Sequence, residues 1–103
     1  MSERDLDDGV RALLRDLPGV LAYHTFDSRR SSPGFLDWFF CGKGGSMWTE
    51  LKTMTGKVTP AQQRWIDVLT AAGHVAVVRR PCDLLDGTIA RELAAIAGLK
   101  AAP

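Results

Sequence analysis

Cysteine is scarce in this chain: Cys41 and Cys82 stand far apart and no second pair accompanies them. That spacing offers neither a zinc quartet nor a disulfide framework, so both are expected to be reduced thiols. No apolar stretch approaches the ~20 residues of a membrane helix, and the first residues are charged rather than signal-like. A cytoplasmic protein without a membrane partner is therefore expected. No repeat or low-complexity segment appears. The formal net charge is only +1, which by itself selects no partner. What remains is an ordinary globular mixture, 46% hydrophobic and 24% charged over 103 residues. That is one packed core, so residues 1–103 are read as a single domain.

The small net charge hides an uneven distribution. Residues 1–16 hold five acids against three bases, residues 17–82 four against eight, and residues 83–103 three against two. Two of the four central acids are Asp37 and Glu50. A cation bound between them would leave the surrounding surface more basic still, which suits a polyanionic partner. Solvated surface side chains would produce the same count.

Ser2 with Asp5 has capping-box spacing, and Leu6, Val10, Leu13, Leu14 and Leu17 recur at helical intervals until Pro18-Gly19. Glu3 precedes Leu6 on that stripe, at the edge of the buried face or simply complementing the helix start. Residues 20–26 read as a strand, and residues 27–34 as a polar loop with paired arginines suited to phosphate contact or to an exposed turn. Residues 35–41 are apolar except for Asp37 and predict a strand buried on both faces. An unpaired carboxylate there costs several kcal/mol, so Asp37 must be paired, protonated or metal-bound.

Residues 42–45 predict a turn and residues 46–53 the returning strand of a hairpin. Glu50-Leu51-Lys52 lies on that strand, where alternation turns Glu50 and Lys52 to one face. With a four-residue loop Cys41 pairs with Ser46 and Asp37 faces Glu50; with five residues Asp37 goes to the other side. The first register brings two carboxylates and an amine together, equipment for a divalent cation and a negatively charged transition state. Thr59-Pro60 then opens a second helix with the stripe Ala61, Trp65, Val68, Leu69 and Ala72, with Gln62 in its first turn. Residues 74–79 predict a fourth strand, parallel to its neighbour by a right-handed crossover. A last helix follows Pro81, carrying Leu84, Leu85, Ile89, Leu93 and Ile96, with a frayed tail at 100–103. The expected fold is α/β, αβββαβ with an added C-terminal helix on a mixed four-stranded sheet.

Glu3, the stretch from His24 to Ser31, Gly34 to Asp37, Glu50-Leu51-Lys52, Gly56 to Gln62 and Ala72 to Val75 together resemble the VRR-NUC family of the PD-(D/E)XK nuclease superfamily, whose small stand-alone members are typical of bacteriophages. The resemblance spans about residues 3–96. It implies a restriction-endonuclease-like core and a Mg²⁺- or Mn²⁺-dependent endonuclease that leaves 5′-phosphate and 3′-hydroxyl ends. It also implies that Asp37, Glu50 and the Leu51 carbonyl are metal ligands, that Glu3 reaches the metal directly or through water, that Lys52 orients the attacking water and offsets charge on the transition state, and that Gln62 positions Lys52 or the water. One departure is Leu36, where the family has proline, which puts the backbone path into Asp37 in question.

Arg29, Arg30, Lys43, Lys57 and Arg64 are the candidates for DNA backbone contact. His24 either joins them or is a strand residue with one hydrogen bond. Trp38, Trp48 and Trp65 are hard to fit into one small core, which leaves room for an apolar interface. The expected protein is thus a homodimeric nuclease for branched or junction DNA, in the host cytoplasm if of phage origin. The competing expectations are a DNA-binding or packaging-associated module of the same fold with little turnover, and a purely structural interaction domain.

Overall fold

In the computed structural model, which describes residues 1–25 and 32–99, the Ser2 hydroxyl accepts from the Asp5 N–H and the Asp5 carboxylate accepts from the Ser2 N–H. This capping box opens α1 (Glu3–Arg15), whose Leu6 and Val10 are buried. Three antiparallel strands follow: β1 (Leu21–His24), β2 (Trp38–Gly42) and β3 (Gly45–Leu51). Then come α2 (Pro60–Ala71), β4 (Ala76–Arg79), α3 (Pro81–Leu85) and α4 (Thr88–Ile96). β4 runs parallel to β3, so the open sheet is mixed, with strand order β1-β2-β3-β4. The predicted hairpin of β2 with β3, the parallel pair of β3 with β4 and the mixed four-stranded sheet are observed. Phe26, residues 27–31 of the expected loop at 27–34, and the tail at 100–103 lie outside the described residues.

The hairpin adopts the register that faces Asp37 toward Glu50. Cys41 pairs with Ser46 and Trp38 with Thr49; Gly42 and Gly45 also pair, so only Lys43 and Gly44 form the loop. Strand alternation then separates the two faces of the sheet. Trp38, Phe40, Met47, Leu51 and Val77 meet Leu6, Val10, Ile89, Leu93 and Ile96 in one core beneath α1, α3 and α4. Arg79 forks onto Glu92 of α4 at 2.6 and 2.8 Å, tying β4 to that layer.

The opposite face carries Asp37, Phe39, Cys41, Trp48 and Glu50, with Leu21 and Tyr23 of β1 beside Cys41 and Phe39. Of the described helices, α2 packs there. β2 is therefore buried on one side and half-buried on the other, not buried on both as its composition predicts. Leu21 and Tyr23 are 76% and 64% exposed. The tryptophans divide between the faces. Trp38 is buried and stacked on Phe40, while Trp48 and Trp65 each meet Phe35 edge-on.

The expected single C-terminal helix is two. Its apolar stripe continues through the break, but Gly87 takes φ +86°, a left-handed conformation that ends α3 and lets α4 start in a new direction.

Candidate functional site

The acidic pair forms where β2 begins and β3 ends. The Asp37 carbonyl accepts from the Thr25 N–H at 2.9 Å, and one Asp37 carboxylate oxygen (Oδ2) accepts from the Leu51 N–H at 2.8 Å. Leu51 is extended, so its carbonyl points to the same side as its N–H. Leu36 is fully buried, and its carbonyl accepts from the Thr25 hydroxyl at 2.9 Å. The entry into Asp37 is therefore held, without a proline, by two hydrogen bonds from Thr25, the residue that follows β1.

Glu50 is only 3% exposed. Its Oε2 accepts from the Gln62 amide at 2.9 Å and lies 3.6 Å from Lys52 Nζ. Its Oε1 is buried and has no hydrogen-bond partner among the described residues. Burial, and then the charge of Asp37, push the Glu50 carboxyl up to about 7. Burial also raises Asp37, against the Leu51 N–H that favours its charged form. Two carboxyls thus share a site that disfavours both charges unless a cation is added.

Gln62 is held from two sides. Its side-chain oxygen accepts from the Thr59 N–H at 2.9 Å, its own N–H donates to the Thr59 hydroxyl at 3.2 Å, and the amide nitrogen is left for Glu50. The residue expected to position Lys52 or a water is bonded to the same Glu50 oxygen that Lys52 approaches. Two close approaches fix this geometry. Gly34, at φ +77°, sits so tightly against Ala61 and Gln62 that a side chain would meet their backbone. Arg80, unremarked in the sequence, donates to the carbonyls of Thr53 and Gly56 at 2.6 and 2.8 Å and anchors the loop between Lys52 and α2.

On the other side of Asp37 lies a cleft of about 230 Å³ lined by Glu3, Arg4, Asp7, His24, Asp37 and Leu51. Glu3 is exposed at the start of α1, yet it lines the same cleft as Asp37 and Leu51, the side on which the resemblance has it reach a metal. Among the described residues no three His, Cys, Asp or Glu side chains converge closely enough to hold an ion. The better-anchored acid of α1 is Asp7, one turn on. It accepts from Trp38 Nε1 at 2.9 Å and Arg11 Nε at 2.7 Å, and lies 3.5 Å from His24 Nε2. Only its helical spacing from Glu3 could have signalled this, because the Trp38 contact spans 31 residues.

The expected DNA-contact residues scatter. His24 lines the cleft and packs on Trp38, Lys57 is exposed in the loop before α2, and Arg64 is exposed on α2. Lys43 sits at the hairpin turn, on the order of 15–20 Å along β3 from Glu50. Its aliphatic chain lies against Gly98 instead. Arg29 and Arg30 lie outside the described residues. No helix among the described residues is long and apolar enough to cross a membrane. Compared with known proteins, the chain matches no family model, no curated protein and no solved structure.

Proposed function

We propose that this chain is a Mg²⁺- or Mn²⁺-dependent endodeoxyribonuclease with a PD-(D/E)XK core of the VRR-NUC type. The observation that carries the reading is the convergence of Asp37 and a nearly fully buried Glu50 whose Oε1 lacks a partner among the described residues, with Lys52 Nζ 3.6 Å from the other oxygen. The donor set suits a hard cation: two carboxylates and a backbone carbonyl, all oxygen, with remaining positions left to water and phosphate. Asp37, Glu50 and the Leu51 carbonyl would hold the ion, which when bound polarises the phosphoryl group and makes hydroxide available near neutral pH.

The protein's own side chains then divide the work. Gln62 and Lys52 fix the orientation of Glu50, and the Leu51 N–H fixes Asp37. Lys52 is only 13% exposed, so its ammonium acts in a poorly screened setting on the charge that grows on the phosphate oxygens. A water attacks phosphorus, the bond to the 3′-oxygen breaks, and 5′-phosphate and 3′-hydroxyl ends remain. The apolar sheet face around Leu21, Tyr23 and Phe39, which no described helix covers, supports a homodimer, and a two-fold dimer would suit the paired strands of branched or junction DNA.

A second reading, a DNA-binding module of this fold with little turnover, is favoured by the lack of a third converging acid among the described residues. Incubation of supercoiled, linear and four-way-junction DNA with Mg²⁺ or Mn²⁺ separates the two. Cutting by the wild type that disappears in Glu50→Ala and Lys52→Ala supports the nuclease. Binding without cutting supports the module, and cutting that survives either substitution removes the assignment.

A further inference from the structure

The helix that supplies Gln62 has a second face that the proposed chemistry leaves unused. None of the α2 residues is fully buried, and Val68 is 55% exposed. Ala61, Arg64, Trp65 and Val68 fall at i, i+3, i+4 and i+7, one stripe of the helix. With Pro33 they line a groove of about 330 Å³, at the small end of ligand-sized sites. Among the described residues its walls are an indole, a proline ring and small aliphatic groups, and the one charged side chain lining it is a guanidinium.

The indole is fixed before anything binds. Trp65 Nε1 donates to the Pro33 carbonyl at 3.2 Å, and Phe35 meets the ring edge-on at 5.0 Å and 82°. A planar ligand laid there would lose little to ordering of the wall. The groove also begins within about one helical turn of Gln62, the residue that holds Glu50, since Gln62 precedes Trp65 by three residues.

We infer that this groove seats an unpaired nucleobase, with Arg64 against the adjoining phosphate, so that the preferred DNA has a single-stranded segment leading from the acidic pair. This deepens the nuclease reading and rests on it. The chemistry selects the occupant: every nucleobase has a π face for an aromatic wall, and each carries a phosphate for a guanidinium. In intact duplex those faces are stacked against neighbours and are unavailable. An apolar protein segment would fill the same walls but gives the exposed Arg64 no anion.

The test is DNA binding in EDTA at low salt, read by anisotropy with a labelled oligo-dT, its abasic counterpart and a blunt duplex of equal length. Val68→Glu places a carboxylate in the groove at an exposed position, and Arg64→Ala removes the cation; neither touches the core. The expected result is a loss of about tenfold or more in oligo-dT affinity for Val68→Glu, near the value of one base stack, with duplex affinity nearly unchanged. The abasic strand should bind the wild type as weakly as oligo-dT binds Val68→Glu, and Arg64→Ala should weaken both strands alike. Equal losses on oligo-dT and duplex, no loss at all, or an abasic strand that binds as well as oligo-dT would each overturn the inference. If these failures occur while metal-dependent cutting persists, the groove assignment alone falls. A wild type that binds no DNA removes both readings.

Discussion

Glu50→Gln isolates the charge of the buried carboxylate while keeping its shape, since a glutamine oxygen there still accepts from Gln62. In the folded protein the Glu50 carboxyl is pushed up to about 7 from its ordinary 4.5, by burial first and by Asp37 second. Below pH 4.5 both folded and unfolded chains hold this proton and it contributes nothing to the balance. Between 4.5 and 7 the folded chain retains a proton that the unfolded chain has lost, so stability falls as pH rises, and above 7 the loss is complete. Asp37, also raised, acts in the same direction. At about 1.4 kcal/mol per pH unit the Glu50 separation is worth roughly 3 kcal/mol as an upper bound. Residual solvent near the half-buried Asp37 and the loss of the Lys52 pairing reduce the gain from the variant to about 1–3 kcal/mol. A domain of this size moves about 4–8 °C per kcal/mol.

Thermal unfolding in EDTA at pH 5 and pH 8 measures this. The wild type should melt lower at pH 8, and Glu50→Gln should recover about 5–20 °C there with little change at pH 5. Millimolar Mn²⁺ or Mg²⁺ should stabilise the wild type at pH 8 and leave the variant unmoved, because a ligand stabilises only the state that binds it. A variant no more stable than the wild type at pH 8, or a wild-type midpoint flat between the two pH values, would refute the strained-carboxylate argument.

Asp7→Ala should destabilise by about 1–3 kcal/mol in urea denaturation, since it leaves the buried Trp38 N–H without its acceptor, whereas Glu3→Ala should change stability by less than about 0.5 kcal/mol. Gly34→Ala combines a left-handed φ with contact against the first turn of α2 and should cost about 2 kcal/mol or more; an unchanged midpoint would show that the loop simply moves aside. Thr59→Ala should cost about 1 kcal/mol through loss of its cap. It should also lower metal affinity, measured by calorimetry, because it loosens the Gln62 side chain that holds Glu50.

Much of this was legible because local chemistry was decisive. The Ser2 and Thr59 caps mark the starts of α1 and α2, and the glycine-rich turn between Cys41 and Ser46 leaves two registers, of which the one observed turns Asp37 toward Glu50. Where the reading failed, its signal could not distinguish the alternatives. An apolar run such as that around Phe39 looks the same whether its second face is covered or open. The stripe from Leu84 to Leu93 keeps helical period across Gly87, so only the backbone angle reveals two helices. Asp7, Arg79 and Arg80 act on partners distant in sequence, and no spacing encodes those meetings.

Gln62 joins a helix cap to an acid, with a consequence for how the protein breathes. The first turn of a helix is among the easiest pieces of a fold to open, well below the cost of global unfolding. Here that opening would release the amide from both Thr59 and Glu50. Readiness of the acidic pair is therefore tied to fraying of one helical turn, and amide hydrogen exchange at the start of α2 would report the fraction of molecules with Glu50 unlatched.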